Sequence, residues 1–383
     1  MIEGLNPITT HARNLVYDLL NLMPSIHQRA SLKAMLALFL QAQGMALPEH
    51  TDRKSPSALS RFLNLYDWPT RAVIRTLRRH ALERLLERRK AGRRPILRAI
   101  VDLTPLEKSG QFKGLGGLVR ILNNKRGLQL VVLYVELDGW RIPWGFRLWR
   151  RGKGGASPGA LALKLLGSLP RAMTARHEVM VLADSAFCGV EFVRGVRRLG
   201  HHVVVGVRKD RLLADGTRLD RRGRRGQCQR GGQEAAAWLE GLEIPVYLAS
   251  YWLKRDGKRD RRFVLSTKAM HPRHIVRWGK RRWRIEGFFK TAKGRFSLDR
   301  FGQGRKLGVY RYLILSLVAY LLAHWGHLGR GREGLPRWAE AARAILEEVL
   351  AETVIEGLLI EIEERGALLR SHGIEVRVDR CKI

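Results

Sequence analysis

Ile96-Leu97-Arg98-Ala99-Ile100-Val101-Asp102 and Val179-Met180-Val181-Leu182-Ala183-Asp184 are short apolar runs, the first interrupted once, and each ends on a carboxylate. Their length and composition predict sheet strands buried on at least one face. A buried carboxylate is costly unless it is paired or metal-bound, and the rim of an open α/β sheet is where such folds place ligands. One Asp alone is better explained as a helix N-cap after its strand. Two in this position, with a matching third acid, point to a metal site.

Around these runs the hydrophobic pattern predicts strands 96–103, 128–137 and 140–149, the latter two joined by a turn at Asp138-Gly139. Helix 158–169, strand 179–184, helix 189–199 and strand 202–207 follow. The order is β-β-β-α-β-α-β, and a third acid brought in by a later element would complete the set.

Glu286 supplies it. Wound as one helix, Arg273 to Phe296 has an apolar stripe of Ile285, Phe288, Phe289, Ala292 and Phe296. Arg282, Glu286 and Lys293 fall within about 40° of one another on another face, with Lys290 slightly to one side. An acid flanked by cations suits a metal held beside phosphates. Arg282 and Glu286 are also an i,i+4 ion pair, which a merely solvated helix would show.

The segment Arg282-Trp-Arg-Ile-Glu-Gly-Phe-Phe-Lys-Thr-Ala-Lys293 resembles the signature of bacterial insertion-sequence DDE transposases of the insertion sequence four branch, Y-x-x-R-x-x-x-E followed by six residues and K. Arg282, Glu286 and Lys293 fall on the R, E and K. The tyrosine position is Gly279, and Trp278 beside it aligns with the apolar stripe. Val101-Asp102-Leu103-Thr104 and Leu182-Ala183-Asp184-Ser185-Ala186-Phe187 look like the first and second Asp contexts, and the resemblance covers roughly residues 95 to 325.

The strand order and the resemblance together imply an α/β fold: a ribonuclease-H-like mixed β-sheet core with a β-strand insertion, preceded by an all-helical DNA-binding domain. The expected domains are 1–92 (helical, DNA-binding), 93–207 (first part of the core), 208–268 (basic insertion), 269–330 (second part, with the Glu helix) and 331–383 (C-terminal helices). The insertion holds Arg218, Arg221, Arg222, Arg224, Arg225 and Arg230. A hairpin, Pro245 to Trp252 and Arg262 to Thr267, follows them and turns near Asp256-Gly257, with Lys254, Arg255, Lys258 and Arg259 at its tip. These cations would touch phosphates. Trp252 is a candidate to stack on an unpaired base, with core packing as the plainer role. In the N-terminal part, a helix capped by Ser57 and running through Asn64, a break at Tyr66-Asp67-Trp68-Pro69 and a basic helix from Arg71 to Arg89 look like a helix-turn-helix.

Composition agrees with a polyanionic partner: 71 Lys+Arg against 35 Asp+Glu give +36 over 383 residues. Residues 333–383 hold eleven acids and seven bases, a net of −4, so residues 1–332 carry +40. The basicity is localised. Cys188, Cys228 and Cys381 form no C-x-x-C, which argues against a zinc site or disulfide frame and for a reduced intracellular protein, and the resemblance implies a bacterial, cytoplasmic, nucleoid-associated one. No signal peptide is apparent, and the apolar run Tyr312 to Trp325 reads as a buried helix rather than a membrane span.

The expected function is that of a transposase, cutting element ends and joining the 3′-hydroxyl to target DNA. It would use two Mg²⁺ ions about 3.5–4 Å apart, with Mn²⁺ as a substitute. Asp102 would bridge both ions, with Asp184 and Glu286 completing one each. Arg282, Lys290 and Lys293 would hold the scissile and neighbouring phosphates. The resemblance adds terminal inverted repeats as the DNA partner, hairpin formation and a homodimer on the DNA. A structure-specific nuclease and an inactive, transposase-derived DNA-binding protein are the alternatives.

Overall fold

The computed structural model describes residues 6–376 apart from 42, 52, 88–93, 109–112, 116, 123, 151–153, 222–235, 256–257, 332–333, 335, 352–354, 356–357, 360–361 and 363–364. Its principal helices are α1 (Pro7–Asn21), α2 (Ile26–Gln41), α3 (Pro56–Asn64), α4 (Thr70–Leu86), α5 (Pro158–Leu166), α6 (Arg171–Arg176), α7 (Val190–Arg198), α8 (Pro272–Arg281), α9 (Arg284–Gly294), α10 (Lys306–Gly329), α11 (Trp338–Val349) and α12 (Gly366–Ser371). The strands are β1 (Ile96–Glu107), β2 (Arg120–Leu122), β3 (Lys125–Leu137), β4 (Trp140–Trp149), β5 (Glu178–Ala183), β6 (His202–Val207), β7 (Tyr247–Arg255) and β8 (Lys258–Ser266). The chain divides into two compact units, Arg78–Lys290 and Met1–Leu77 with Thr291–Ile383.

The unit Arg78–Lys290 is built on one mixed sheet, ordered β2-β3-β1-β5-β6-β8-β7, with β4 also paired to β3. β5 lies parallel between β1 and β6, and the remaining pairs are antiparallel. The central strands carry the unbroken apolar runs such a position requires: Val179 to Ala183 and Val203 to Val205 are all buried. The β3–β4 turn falls at Asp138-Gly139 as expected, with φ of 44° and 88°, the paired positive values of a primed hairpin turn. β7 and β8 form the expected hairpin, and β8 hydrogen-bonds to β6, so the hairpin extends the same sheet. Its turn, Asp256-Gly257, lies outside the described residues, as do Arg222, Arg224, Arg225 and Arg230.

Beyond shifts of a few residues at the ends of α4, β3, β7 and β8, four local readings differ from the structure. Helix 158–169 is shorter, ending at Leu166, and a second helix, α6, begins after Pro170, which has no N–H to continue the first. Asp102 does not end its strand. β1 continues to Glu107 because β3 keeps pairing with it, from Asp102↔Val132 to Glu107↔Gly127, whereas its parallel ladder with β5 stops at Val101↔Ala183.

The helix expected over Arg273 to Phe296 is broken at Arg282-Trp283. There the backbone bonds tighten to i→i+3: Arg282 N–H to Gly279 O, Trp283 N–H to Lys280 O, Ile285 N–H to Arg282 O and Glu286 N–H to Trp283 O. Finally, Ser55 rather than Ser57 caps α3, its Oγ accepting from Ala58 N–H, with Pro56 at the first helical position.

In the other unit α10 is the central element. It has the length and apolarity of a membrane span, but 89% of that stretch is buried inside the protein. Arg311 on α10, 2% exposed, holds the connection between α3 and α4: its guanidinium donates to Thr70 Oγ1 and to the carbonyls of Phe62, Leu63, Tyr66 and Trp68. It also lies 4.2 Å from the Trp68 ring centre. A buried guanidinium needs this full set of acceptors in place of water.

Candidate active site

Strand register brings the first two acids together. Val101 pairs with Ala183 in the parallel β1–β5 ladder, so Asp102 and Asp184 are the next residues on neighbouring strands. β5 has ended there, and Asp184 caps a short 3-10 turn, Ser185–Phe187, its Oδ1 accepting from the amide of Ser185 and, at 3.0 Å, from its hydroxyl. The N-cap reading of this Asp and its place beside Asp102 are therefore both true. Gly206 on β6 permits the arrangement, since a Cβ there would lie 3.2 Å from the Ser185 nitrogen.

The third acid is carried in by α9, which lies against the face of the sheet bearing Arg98, Ile100 and Asp102 of β1. Phe288 stacks on Tyr134, the β3 partner of Ile100, with ring centres 4.9 Å apart. Arg284 forms an ion pair with Glu136, the β3 partner of Arg98. Arg282, at the break before α9, joins two of the acids. Its Nη1 donates to Asp102 Oδ2 at 2.8 Å and its Nη2 to Glu286 Oε1 at 3.2 Å.

Asp102 is the buried member, with 12% of its side chain exposed against 45% for Glu286. Burial pushes its carboxyl up to about 6; Arg282 and the Leu103 N–H oppose this, and the charges of Asp184 and Glu286 add to it. Among the described residues, Arg282 pairs with Asp102 and Glu286 while Asp184 bonds to Ser185, so the three carboxylates are not fully neutralised by it. The donors are hard oxygens, so the residues fit a divalent cation such as Mg²⁺ or Mn²⁺.

A cleft of about 640 Å³ opens beside Asp184 and Arg282, lined also by Gly206, Arg208, Arg218, Tyr251, Arg261 and Trp283 among others. Gly279 lines it too, and a Cβ there would stand 3.2 Å from both Val264 methyls. Three arginines at the cleft are bound to acids two residues away: Arg208 to Asp210 at 2.7 Å, Arg218 to Asp220 at 2.8 Å and Arg262 to Asp260 at 2.8 Å.

Of the residues predicted from sequence, Asp102, Asp184, Glu286 and Arg282 are brought together. Lys290 is exposed one turn beyond Glu286 on α9. Lys293 lies about two turns beyond it, in the stretch of α9 that belongs to the other unit. Trp252 is not in the cleft. It is 61% exposed, and its strand neighbours Tyr251 and Leu253 line the cleft, so alternation turns Trp252 to the opposite face. Ser185, Gly206, Tyr251 and Trp283 were not anticipated. Trp283 carried a signal, since it sits inside the Arg282–Lys293 segment, whereas Gly206 carried none.

These features define a mixed α/β protein with a three-carboxylate site whose oxygen donors fit a divalent cation. Residues 124–322 match the family described as "Transposase DDE domain", and the chain belongs to that family. The family implies a nuclease and transesterase that uses divalent metal ions. Asp184 and Glu286 fall inside the matched segment, and Asp102 lies ahead of it. No curated protein matches the sequence. Among solved structures, a cryo-EM structure of the piggyBac transposase synaptic complex with hairpin DNA is similar at 10% identity and a TM-score of 0.49, over 92% of this chain and 79% of that one.

Proposed function

We propose that this chain is a DNA transposase of the insertion sequence four branch, from a bacterial mobile element, acting in the cytoplasm on the nucleoid. It would cut the element at its terminal inverted repeats and join the freed 3′-hydroxyl to target DNA, as a homodimer on the DNA ends. The observation that carries the reading is the convergence of Asp102, Asp184 and Glu286 from two adjacent parallel strands and one helix, with Arg282 between two of them. The order β4-β3-β1-β5-β6 with a third acid on a later helix supports a ribonuclease-H-like core. The Arg282, Glu286 and Lys293 spacing supports the branch.

Asp102, Asp184 and Glu286 would hold two divalent ions, Mg²⁺ or Mn²⁺. When bound, such ions stabilise charge on the transferred phosphoryl oxygens and acidify the attacking hydroxyl. Asp102 must be ionised to serve, and a bound cation would favour that form, opposing the burial that raises its carboxyl in the metal-free protein. Arg282, displaced from the carboxylates by the incoming charge, would turn to the scissile phosphate, with Lys290 and Lys293 on its neighbours. The cations beside the cleft would track the flanking backbone, and the exposed Trp252 would meet DNA on the outer face of the hairpin. In the N-terminal unit, α3 and the exposed Arg71 and Arg75 of α4 would contact the terminal repeat.

The test is cleavage of a labelled duplex carrying the sequence that flanks the reading frame, with Mg²⁺ or with EDTA, by wild type and Glu286→Ala. The reading expects Mg²⁺-dependent cutting at the element end, lost in the variant while DNA binding persists. Cutting by Glu286→Ala would overturn the site, and binding with no cutting by wild type would move the function to a DNA-binding relative.

A further inference from the structure

Glu136 is 1% exposed, and it sits not at the acid site but four residues along the same pair of strands. Its Oε2 meets Arg98 Nε of β1 at 3.1 Å, and its Oε1 meets Arg284 of α9. A carboxylate buried this deeply is tolerated only with its charge answered, and removal of one partner of such a pair is strongly destabilising. Burial also pushes the Arg98 and Arg284 guanidinium groups below their usual range, so the network costs desolvation on all its members.

What it accomplishes follows from where Arg284 stands. It is the first residue of α9, and Glu286 lies in the helix's first turn, directly after the tightened i→i+3 segment at Arg282-Trp283. A helix start of this kind has few backbone bonds to fix its rotation. Two side-chain anchors flank Glu286 instead: Arg284 on Glu136 two residues before it, and Phe288 on Tyr134 two residues after it. Both anchors end on β3, the strand that also pairs with the Asp102 segment of β1. The rotation of α9, and with it the distance from Glu286 to Asp102, is thereby referred to the strand that holds Asp102 in place.

We propose that Glu136, clamped between Arg98 and Arg284, is a positioning residue that sets Glu286 against Asp102 and so fixes the geometry of the metal-holding site. This rests on the reading of Asp102, Asp184 and Glu286 as metal-holding acids. A fastener of that kind acts on metal affinity before DNA is present, as outer partners of metal ligands do, by about tenfold or more.

The experiment uses the full-length chain and Mn²⁺ binding followed by electron paramagnetic resonance without DNA. Wild type, Glu286→Ala, Arg284→Gln, Arg284→Lys and Glu136→Gln are compared, alongside the Mg²⁺ concentration for half-maximal cleavage. Arg284→Gln leaves Arg98 to answer the Glu136 charge, and Arg284 is half exposed, so this variant should lose less stability than Glu136→Gln, which strands two guanidinium groups; melting curves of both check this. Expected are a roughly tenfold weaker Mn²⁺ affinity and a matching rise in the Mg²⁺ requirement for Arg284→Gln, with duplex binding unchanged, partial recovery in Arg284→Lys and the same direction in folded Glu136→Gln. Wild-type Mn²⁺ affinity in Arg284→Gln would overturn the inference. Failure of wild type to bind Mn²⁺, or binding untouched by Glu286→Ala, would instead overturn the reading of the acids themselves.

Discussion

Two ion clusters share strands β1 and β3 and use the same groups in opposite proportion. At one, three carboxylates, Asp102, Asp184 and Glu286, have the single guanidinium of Arg282 among them; at the other, Glu136 has two, Arg98 and Arg284. The second cluster meets its buried negative charge internally and behaves as a fastener. The first has more negative charge than its arginine neutralises; burial raises the Asp102 carboxyl to about 6, and the charges of Asp184 and Glu286 add a smaller push in the same direction. Burial is common to both. Unmet charge is what suits one of them to receive cations.

The most drastic way to break the contrast is to neutralise the buried acid of the first cluster. Asp102→Asn should reduce metal-dependent cleavage by on the order of 10³-fold or more while leaving duplex binding in place. Cleavage and band-shift assays on the same preparation read both. Residual cleavage within tenfold of wild type would mean that the register argument chose the wrong first acid.

The same substitution should also stabilise the metal-free protein, and its sign follows from the raised carboxyl. The folded-state value of about 6 lies above the unfolded 3.8, so this group's contribution is fully present below about pH 4 and is lost as pH rises through 6. The loss amounts to about 3 kcal/mol at neutral pH. Thermal unfolding in EDTA should therefore show Asp102→Asn gaining on wild type between pH 4.5 and 7.5, and added Mg²⁺ should close the gap by stabilising wild type alone. A difference between the two proteins that stays constant with pH would remove the argument that Asp102 is the strained member.

Much of this site was legible in the sequence because its parts lie on regular elements. Apolar runs ending in Asp, read as strands, put Asp102 and Asp184 on one sheet, and the spacing of Arg282 and Glu286 put them within reach of each other. The break at Arg282-Trp283 was not legible, since a 3-10 turn and an α-turn share the same apolar pattern over so few residues. Nor was the continuation of β1 past Asp102, which depends on pairing with β3 rather than on the composition of β1. Glu136 was passed over because a charged residue in a strand reads as a solvent-facing position, and only the register opposite Arg98 shows it buried. Trp283 was hidden beside the stronger signal of Arg282.

The arginines two residues apart offer a sharper test, because the comparison predicts opposite signs for them. Arg282 occupies carboxylate oxygens that a metal would take, so Arg282→Gln should tighten DNA-free Mn²⁺ binding by about 1 kcal/mol, roughly fivefold. Arg284→Gln should weaken it. Cleavage falls in both, for loss of the phosphate contact in the first and for loss of alignment in the second. Titration of the two variants by the same spectroscopic method decides the matter, and a change of the same sign in both would collapse the two clusters into one electrostatic network.

The smallest effect concerns two of the exposed tryptophans, Trp283 and Trp252, which test whether the acid cluster's influence stops at its own cleft. Trp283 lines the cleft with Arg282, whose guanidinium carbon lies 5.6 Å from its ring centre, while Trp252 stands on the other face of the β7–β8 hairpin. Stacking on a base is worth about 1–3 kcal/mol where a ring meets an unpaired nucleotide, and a ring on an outer face meets duplex backbone instead. Trp252→Ala should then lower duplex affinity by no more than ~0.5 kcal/mol, close to the ordinary range for surface substitutions, and leave the cleavage rate of bound substrate unchanged. Trp283→Ala should slow that step without a comparable loss of binding. Single-turnover cleavage at saturating protein separates the two quantities, and a slow Trp252→Ala with a normal Trp283→Ala would place the working face of the hairpin on the side away from the acids.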